Sequence, residues 1–263
     1  MTETTPRPRK SWGQNFLIDH NIQRKILDIS EIQPGERVVE IGPGRGILTQ
    51  GLLERGAEVF AIEIDPLLVE TLRKEFSSTH LHLIQGDALH YRYDEIPSSY
   101  KVIANLPYYI STPLLFRLLE ERQRISRMVL MLQKEVAERL VAPVGGKIYG
   151  VLSVLVQLYA DVRIAFSVSK SCFRPRPDVD SSVTVITPLS HPRVPIRDPA
   201  FFARVVRGAF AHRRKRLANA LIDAGFPRAQ AEAALQKMSL DRSRRGETLS
   251  LAEFALLADT LFD

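Results

Sequence analysis

The chain is poor in the residues that build disulfides and metal sites. A single cysteine, Cys172, occurs in 263 residues. That excludes an intrachain disulfide and fits a reducing compartment. With no partner base evident, Cys172 reads as a packing residue rather than a nucleophile. The six histidines, His20, His80, His82, His90, His191 and His212, are scattered. No Cys/His ligand spacing occurs, so no metal is expected. No apolar run reaches about 18 residues, so no membrane span is expected. The stretch from Met1 to Arg9 lacks the apolar core of a signal peptide. Internal repeats and low-complexity tracts are absent.

What is present is a core-forming composition, 45% hydrophobic, with a net charge of +6. The first supports a packed fold and the second favours a polyanionic partner. The length suits one large domain and one small one. The expected boundaries are a basic N-terminal arm over 1–10, a large α/β domain over 11–188, a proline-rich linker over 189–199 and a helical domain over 200–263. From Phe201 to Ala218 there are six basic residues and no acid: Arg204, Arg207, Arg213, Arg214, Lys215 and Arg216. Such a run can be a solvated helix face. Without compensating acids, a phosphate-facing surface is the stronger reading.

Strand and helix patterns alternate through the large domain, which predicts a mostly parallel sheet of seven strands. The strand Arg37 to Ile41 runs into Gly42-Pro43-Gly44-Arg45-Gly46 and then a helix. Glycines there let the backbone approach a ligand at the helix start. The G-x-G-x-G spacing differs from the G-x-G-x-x-G of nicotinamide dehydrogenases. The next strand ends in Glu63, placed to accept the ribose hydroxyls of an adenosine ligand. A third ends near Asp87, placed to take the exocyclic amine of that ligand's adenine. Helix signals flank these strands: Asp19 and Asp65-Pro66 as N-caps, Ser111-Thr112-Pro113 as a further cap, and Pro34-Gly35 as a stop. The last two strands follow short loops, so one of them is expected to be antiparallel.

The fourth strand leads into Asn105-Leu106-Pro107-Tyr108. This puts an amide, a stiff backbone and an aromatic ring at the carboxyl end of a strand, where ligands bind in open α/β sheets. Pro107 fixes its own φ and pushes Leu106 to extended geometry. The Asn105 side-chain oxygen and the Leu106 carbonyl can then accept both hydrogens of one amino group, while Tyr108 stacks on the ring that carries it.

Four motifs together resemble the ribosomal RNA adenine dimethyltransferase family. They are Gly13-Gln14-Asn15-Phe16-Leu17, Val39-Glu40-Ile41-Gly42-Pro43-Gly44, Asn105-Leu106-Pro107-Tyr108 and the Phe-x-Pro-x-Pro-x-Val-Asp-Ser loop from Phe173 to Ser181. The likeness runs from about Arg7 to the helical tail. Within the family it points to the bacterial enzymes that dimethylate two adjacent adenines of small-subunit (16S) RNA. His212-Arg213-Arg214-Lys215-Arg216 is similar to their basic segment. The resemblance implies a Rossmann-like class I methyltransferase fold over 11–188 and S-adenosyl-L-methionine as donor. By position it implies donor contacts at Asn15, Leu17, Gly42, Gly44, Glu63, Asp87 and Asn105, with Glu40 near the donor's ammonium. It also implies that Phe173 closes the target base against Tyr108. Tyr109 stands where the family often has asparagine, a departure expected to touch only local packing. The partner expected is ribosomal RNA in immature small subunits, bound by a cytoplasmic monomer through Arg213, Arg214, Lys215 and Arg216.

Three other readings stand beside this one. A large-subunit RNA methyltransferase conferring drug resistance is disfavoured by the tail and the Phe173 loop. A non-catalytic assembly factor of the same fold predicts that loss of methyl transfer leaves cellular function intact. A nicotinamide dehydrogenase is disfavoured by the glycine spacing.

Overall fold

The computed structural model describes residues 14–97, 99–212, 214–241 and 243–262. The arm expected over 1–10 and Gly13 of the first motif lie outside them, as does Arg213. The chain forms two compact units. One comprises the described residues up to Ala137 together with Asp161–Pro188. The other joins Glu138–Ala160 to the described residues from Leu189 onward.

The first unit is built on a seven-stranded sheet. Its strands are β1 (Arg37–Ile41), β2 (Glu58–Glu63), β3 (Leu81–Gln85), β4 (Tyr100–Asn105), β5 (Ile125–Gln133), β6 (Ala160–Val168) and β7 (Ser181–Pro188), in the order 3-2-1-4-5-7-6. The pairs β1–β2, β2–β3, β1–β4 and β4–β5 are parallel, and β7 runs antiparallel to β5. The α/β class and the antiparallel closing strand therefore agree with the sequence. β1 and β4 carry apolar residues at adjacent positions because both faces of a central parallel strand are covered. Val38, Val39, Val102 and Ile103 are all buried. The strand order reverses between β1 and β4, which lie side by side with Ile41 opposite Ala104. A crevice opens at the carboxyl ends of strands at such a reversal. Gly42 and Asn105 are the residues that follow this pair or end it.

Helix starts follow local chemistry. Asp19 caps His20–Ser30, its carboxylate accepting the N–H groups of Asn21 and Ile22. Asp65 caps Pro66–Glu75, with proline in the first turn. Two expectations fail in detail. The first helix ends at Ser30, before Pro34-Gly35, because Glu31 takes a left-handed φ of 50° and returns its N–H to Asp28. Ser111 does not cap; it is the first residue of Ser111–Glu120 and its hydroxyl donates to the Tyr108 carbonyl.

The second unit holds the helices Val151–Tyr159, Pro199–Phe210, Leu217–Asp223, Arg228–Lys237 and Leu251–Phe262. Phe202, Val205, Val206, Leu221, Phe254 and Leu257 are buried in it. The first unit does end at Pro188, but the continuous span expected over 11–188 is corrected, since Glu138–Ala160 belongs with the helices. Val151–Tyr159 is apolar on nearly every side and needs cover all round. The Tyr149 hydroxyl donates to the Leu249 carbonyl at 3.2 Å, fastening this segment to the C-terminal helices. The proline-rich stretch is not a free tether either. Leu189 and Arg193 donate their N–H groups to Tyr159 and Leu158, each at 2.8 Å.

Candidate active site

The ends of β1, β2, β3 and β4 surround a cavity of about 210 Å³. Asn15, Gly42, Gly44, Glu63, Asp87, Asn105, Leu106, Pro107 and Tyr108 all line it. The structure thus brings together nine of the residues the sequence singles out, from five separate stretches of chain.

The glycine loop forms one wall. Gly44 has φ of +58°, and a Cβ there would lie 2.9 Å from the Phe16 ring. Any other residue would therefore strain the backbone and displace the aromatic ring. The Arg45 guanidinium sits 4.9 Å from the centre of the same ring, on a cation–π contact. Glu63 is buried, and each of its oxygens is held. One accepts the Gly44 N–H at 3.1 Å and the other the Asp65 N–H at 2.9 Å. Burial pushes the Glu63 carboxyl pKa up, against the pull of those donors. Glu40 lies below the loop, fully buried, and accepts the Thr49 hydroxyl at 2.6 Å. Burial, with Glu63 adding to it, pushes the Glu40 carboxyl up to about 8. Asp87 forms a turn on its own backbone, accepting the Leu89 N–H at 2.9 Å, and its second oxygen meets His90 Nδ1 at 3.0 Å.

At the opposite wall, the Asn105 Nδ2 donates to the Asn15 carbonyl at 3.0 Å. That fixes the amide so that Oδ1 is left as an acceptor. The Leu106 N–H is taken by Met131, while its carbonyl has no assigned donor among the described residues. The Tyr108 phenol meets the Ser181 hydroxyl at 2.7 Å, and burial raises its pKa.

Three sequence expectations change. Phe173 does not line the cavity. It pairs with Leu17 in a two-residue antiparallel ribbon and its ring is fully buried in the core. In this position it cannot face Tyr108 across a base. Leu17 is likewise buried; it borders a smaller recess by Glu40 and the glycine loop rather than the main cavity. Tyr109, expected to affect packing alone, lines the cavity and is 55% exposed. The sequence reading also missed Phe16, Ile64, Ala88 and Leu89, which supply apolar lining. Ile64 and Ala88 each directly follow an acid at a strand end, and that adjacency was a usable signal. In the basic run, Arg214 and Arg216 are exposed, but Lys215 is paired with Asp223 at 2.6 Å. The compensating acid lay one helix further on. Among the described residues, no group of three or more His, Cys, Asp and Glu side chains is placed to hold a metal, and no helix is long and apolar enough to cross a membrane.

The residues fit an adenosine-bearing donor: a glycine wall for close backbone approach, acids at two successive strand ends, and apolar walls between them. With the reversed strand order and Asn-Leu-Pro-Tyr at the reversal, this defines a class I methyltransferase drawing on S-adenosylmethionine. The model of the family described as ribosomal RNA adenine dimethylase matches residues 6–260. The chain belongs to that family, and it is an enzyme of adenine methylation. It is 47% identical to "Ribosomal RNA small subunit methyltransferase A" of Moorella thermoacetica, over 97% of this chain and 92% of that one. A dimethyladenosine transferase structure from Plasmodium falciparum superposes with a TM-score of 0.80 at 29% identity, over 92% of this chain and 95% of that one. The 23S rRNA methyltransferase ErmE gives 0.70 at 24% identity, over 95% and 100%, a likeness of fold.

Proposed function

We propose that this enzyme converts two adjacent adenines of small-subunit (16S) ribosomal RNA to N6,N6-dimethyladenosine, working as a cytoplasmic monomer on immature small subunits. The observation that carries the chemistry is the pair of open acceptors, Asn105 Oδ1 and Leu106 O, beside the cavity at the end of β4. The small-subunit target is supported by the names of relatives at 43% to 47% identity.

The exocyclic amine of adenine is a poor nucleophile because its lone pair is delocalised into the ring. Two acceptors on its hydrogens favour a more tetrahedral nitrogen with the pair directed outward. Bound S-adenosylmethionine supplies a methyl group activated by a positively charged sulfur. Glu63 and Asp87 hold the donor's ribose and adenine, Gly42 and Gly44 admit its amino-acid end, and Asn15 keeps Asn105 oriented. No strong base is required, since the amine becomes acidic only as the new bond forms. Rate enhancement comes from placement and from fixed dipoles. Tyr108 stacks on the target base, worth about 1–3 kcal/mol, and the base must leave its own stack to get there.

The test is a labelled-methyl assay on immature small subunits, naked small-subunit RNA and large-subunit RNA, with the products mapped by mass. Two neighbouring dimethyladenosines in immature small subunits are expected. Label confined to large-subunit RNA would overturn the reading in favour of the resistance-type enzyme.

The helical unit is read as the RNA-binding surface, through Arg213, Arg214, Lys215 and Arg216. Neutralising all four should flatten the plot of log affinity against log salt by about two to three units. Because Asp223 already holds Lys215, Lys215→Ala alone should change the slope less than Arg214→Ala. An unaltered slope in the quadruple variant would return the run to an ordinary solvated face.

A further inference from the structure

The Phe-x-Pro-x-Pro loop reaches the site through its last residue rather than its first. Phe173 is committed to the core, while Ser181 places its hydroxyl 2.7 Å from the Tyr108 phenol. Ser181 is a fixed point. It is fully buried, opens β7 and pairs with Gln133 of β5. The residue before it is clamped from two sides, the Lys134 N–H donating to the Asp180 carbonyl and the Lys170 N–H to its carboxylate, both at 3.0 Å. Tyr108 is held at its other end by the Ser111 hydroxyl on its carbonyl. Its side chain is thus anchored at the backbone and at the para position, which leaves the ring little freedom to swing away from the cavity wall.

We infer that Ser181 is a positioning residue that fixes where the Tyr108 ring stands and, through it, the seat of the target adenine for the second methylation above all. The inference rests on the reading of Tyr108 as the platform for that base. A first transfer acts on an amine with two hydrogens, one for Asn105 Oδ1 and one for Leu106 O. The monomethylated amine has only one hydrogen left for the two acceptors. With one hydrogen bond fewer, the second transfer depends more on the stacked ring to keep the nitrogen in line. Loosening the ring should therefore slow the second step more than the first.

The experiment follows single turnovers on immature small subunits, measuring monomethyl- and dimethyladenosine by mass, with donor affinity measured in parallel. Ser181→Ala should slow the first transfer about fivefold and the second further, so that monomethyladenosine accumulates. Donor affinity should stay within about twofold of wild type, since the Ser181 hydroxyl is bonded to Tyr108, which is read as the platform for the target base rather than as a donor contact. Tyr108→Phe removes the same bond from the other side and should give the same product ratio. The double variant should be no worse than either single one. An unchanged monomethyl fraction in both single variants, or losses that multiply in the double, would overturn the inference. If Ser181→Ala loses donor binding and so has not folded, Tyr108→Phe decides alone. A separate control, Tyr108→Ala, guards the underlying reading: full turnover in that variant would sink the stacking role itself, whatever Ser181 does.

Discussion

Asn105→Ala should lower the turnover number for methyl transfer about 10²–10³-fold, the scale seen when one preorganised polar contact to a reacting group is removed. Donor affinity should fall far less, because Glu63, Asp87 and the glycine loop remain. Alanine deletes the Oδ1 acceptor and also the donor that fastens the amide to Asn15. Asn105→Asp is the sharper probe. It keeps an acceptor oxygen but cannot donate to the Asn15 carbonyl, so two oxygens would face each other and the group should turn away. A loss close to that of alanine is expected. Steady-state rates on immature subunits with calorimetric donor titration check both variants. Near-normal turnover for Asn105→Asp would mean that the amide orientation does not matter. Cells in which Asn105→Ala abolishes methylation yet assembly proceeds normally would favour the assembly-factor reading over a catalytic requirement.

The second large effect concerns stability. Glu40 is buried and its carboxyl pKa stands at about 8, against 4.5 for an unperturbed glutamate. Between those values the folded protein keeps a proton that the unfolded chain has released. Stability therefore falls as pH rises from the lower value to the higher, and the loss is complete above about 8. Glu40→Gln carries no charge to desolvate and can still accept the Thr49 hydroxyl. It should be more stable than the donor-free wild type by roughly 4–5 kcal/mol at pH 8–9, with the gap closing toward pH 5. Urea titrations at the two pH values measure it. Equal stability of the two proteins at pH 9 would show that Glu40 ionises inside the fold without penalty.

Much of the site was legible because its parts are strand ends. A run such as Val102-Ile103-Ala104 followed by Asn-Leu-Pro-Tyr states both that a strand is buried and where it stops. The glycine loop with Glu63 and Asp87 behind it does the same for β1, β2 and β3. What stayed hidden depends on partners distant in sequence. Nothing in Phe173-Arg174-Pro175 tells which way the ring turns; that is settled by the register with Leu17. The helix Val151–Tyr159 is apolar enough to pack anywhere, and its packing against the distant helix Pro199–Phe210 decides its unit. Ser181 closes a recognisable motif, but its tie to Tyr108 spans separate stretches of the unit. A single departure from the family's asparagine does not tell which way Tyr109 faces, and its place on the cavity wall follows from the turn after Pro107.

The ribbon joining Phe16–Leu17 to Phe173–Arg174 also sets a timetable for synthesis. The residues that present Asn15 to Asn105 leave the ribosome first, yet their partner strand emerges after most of the sheet. At about 5–20 residues per second, the delay is on the order of ten seconds. Through that interval the nascent chain has its central strands but lacks the bracket that steadies its leading edge, so a half-made copy should be unable to retain a cofactor before translation has passed Arg174.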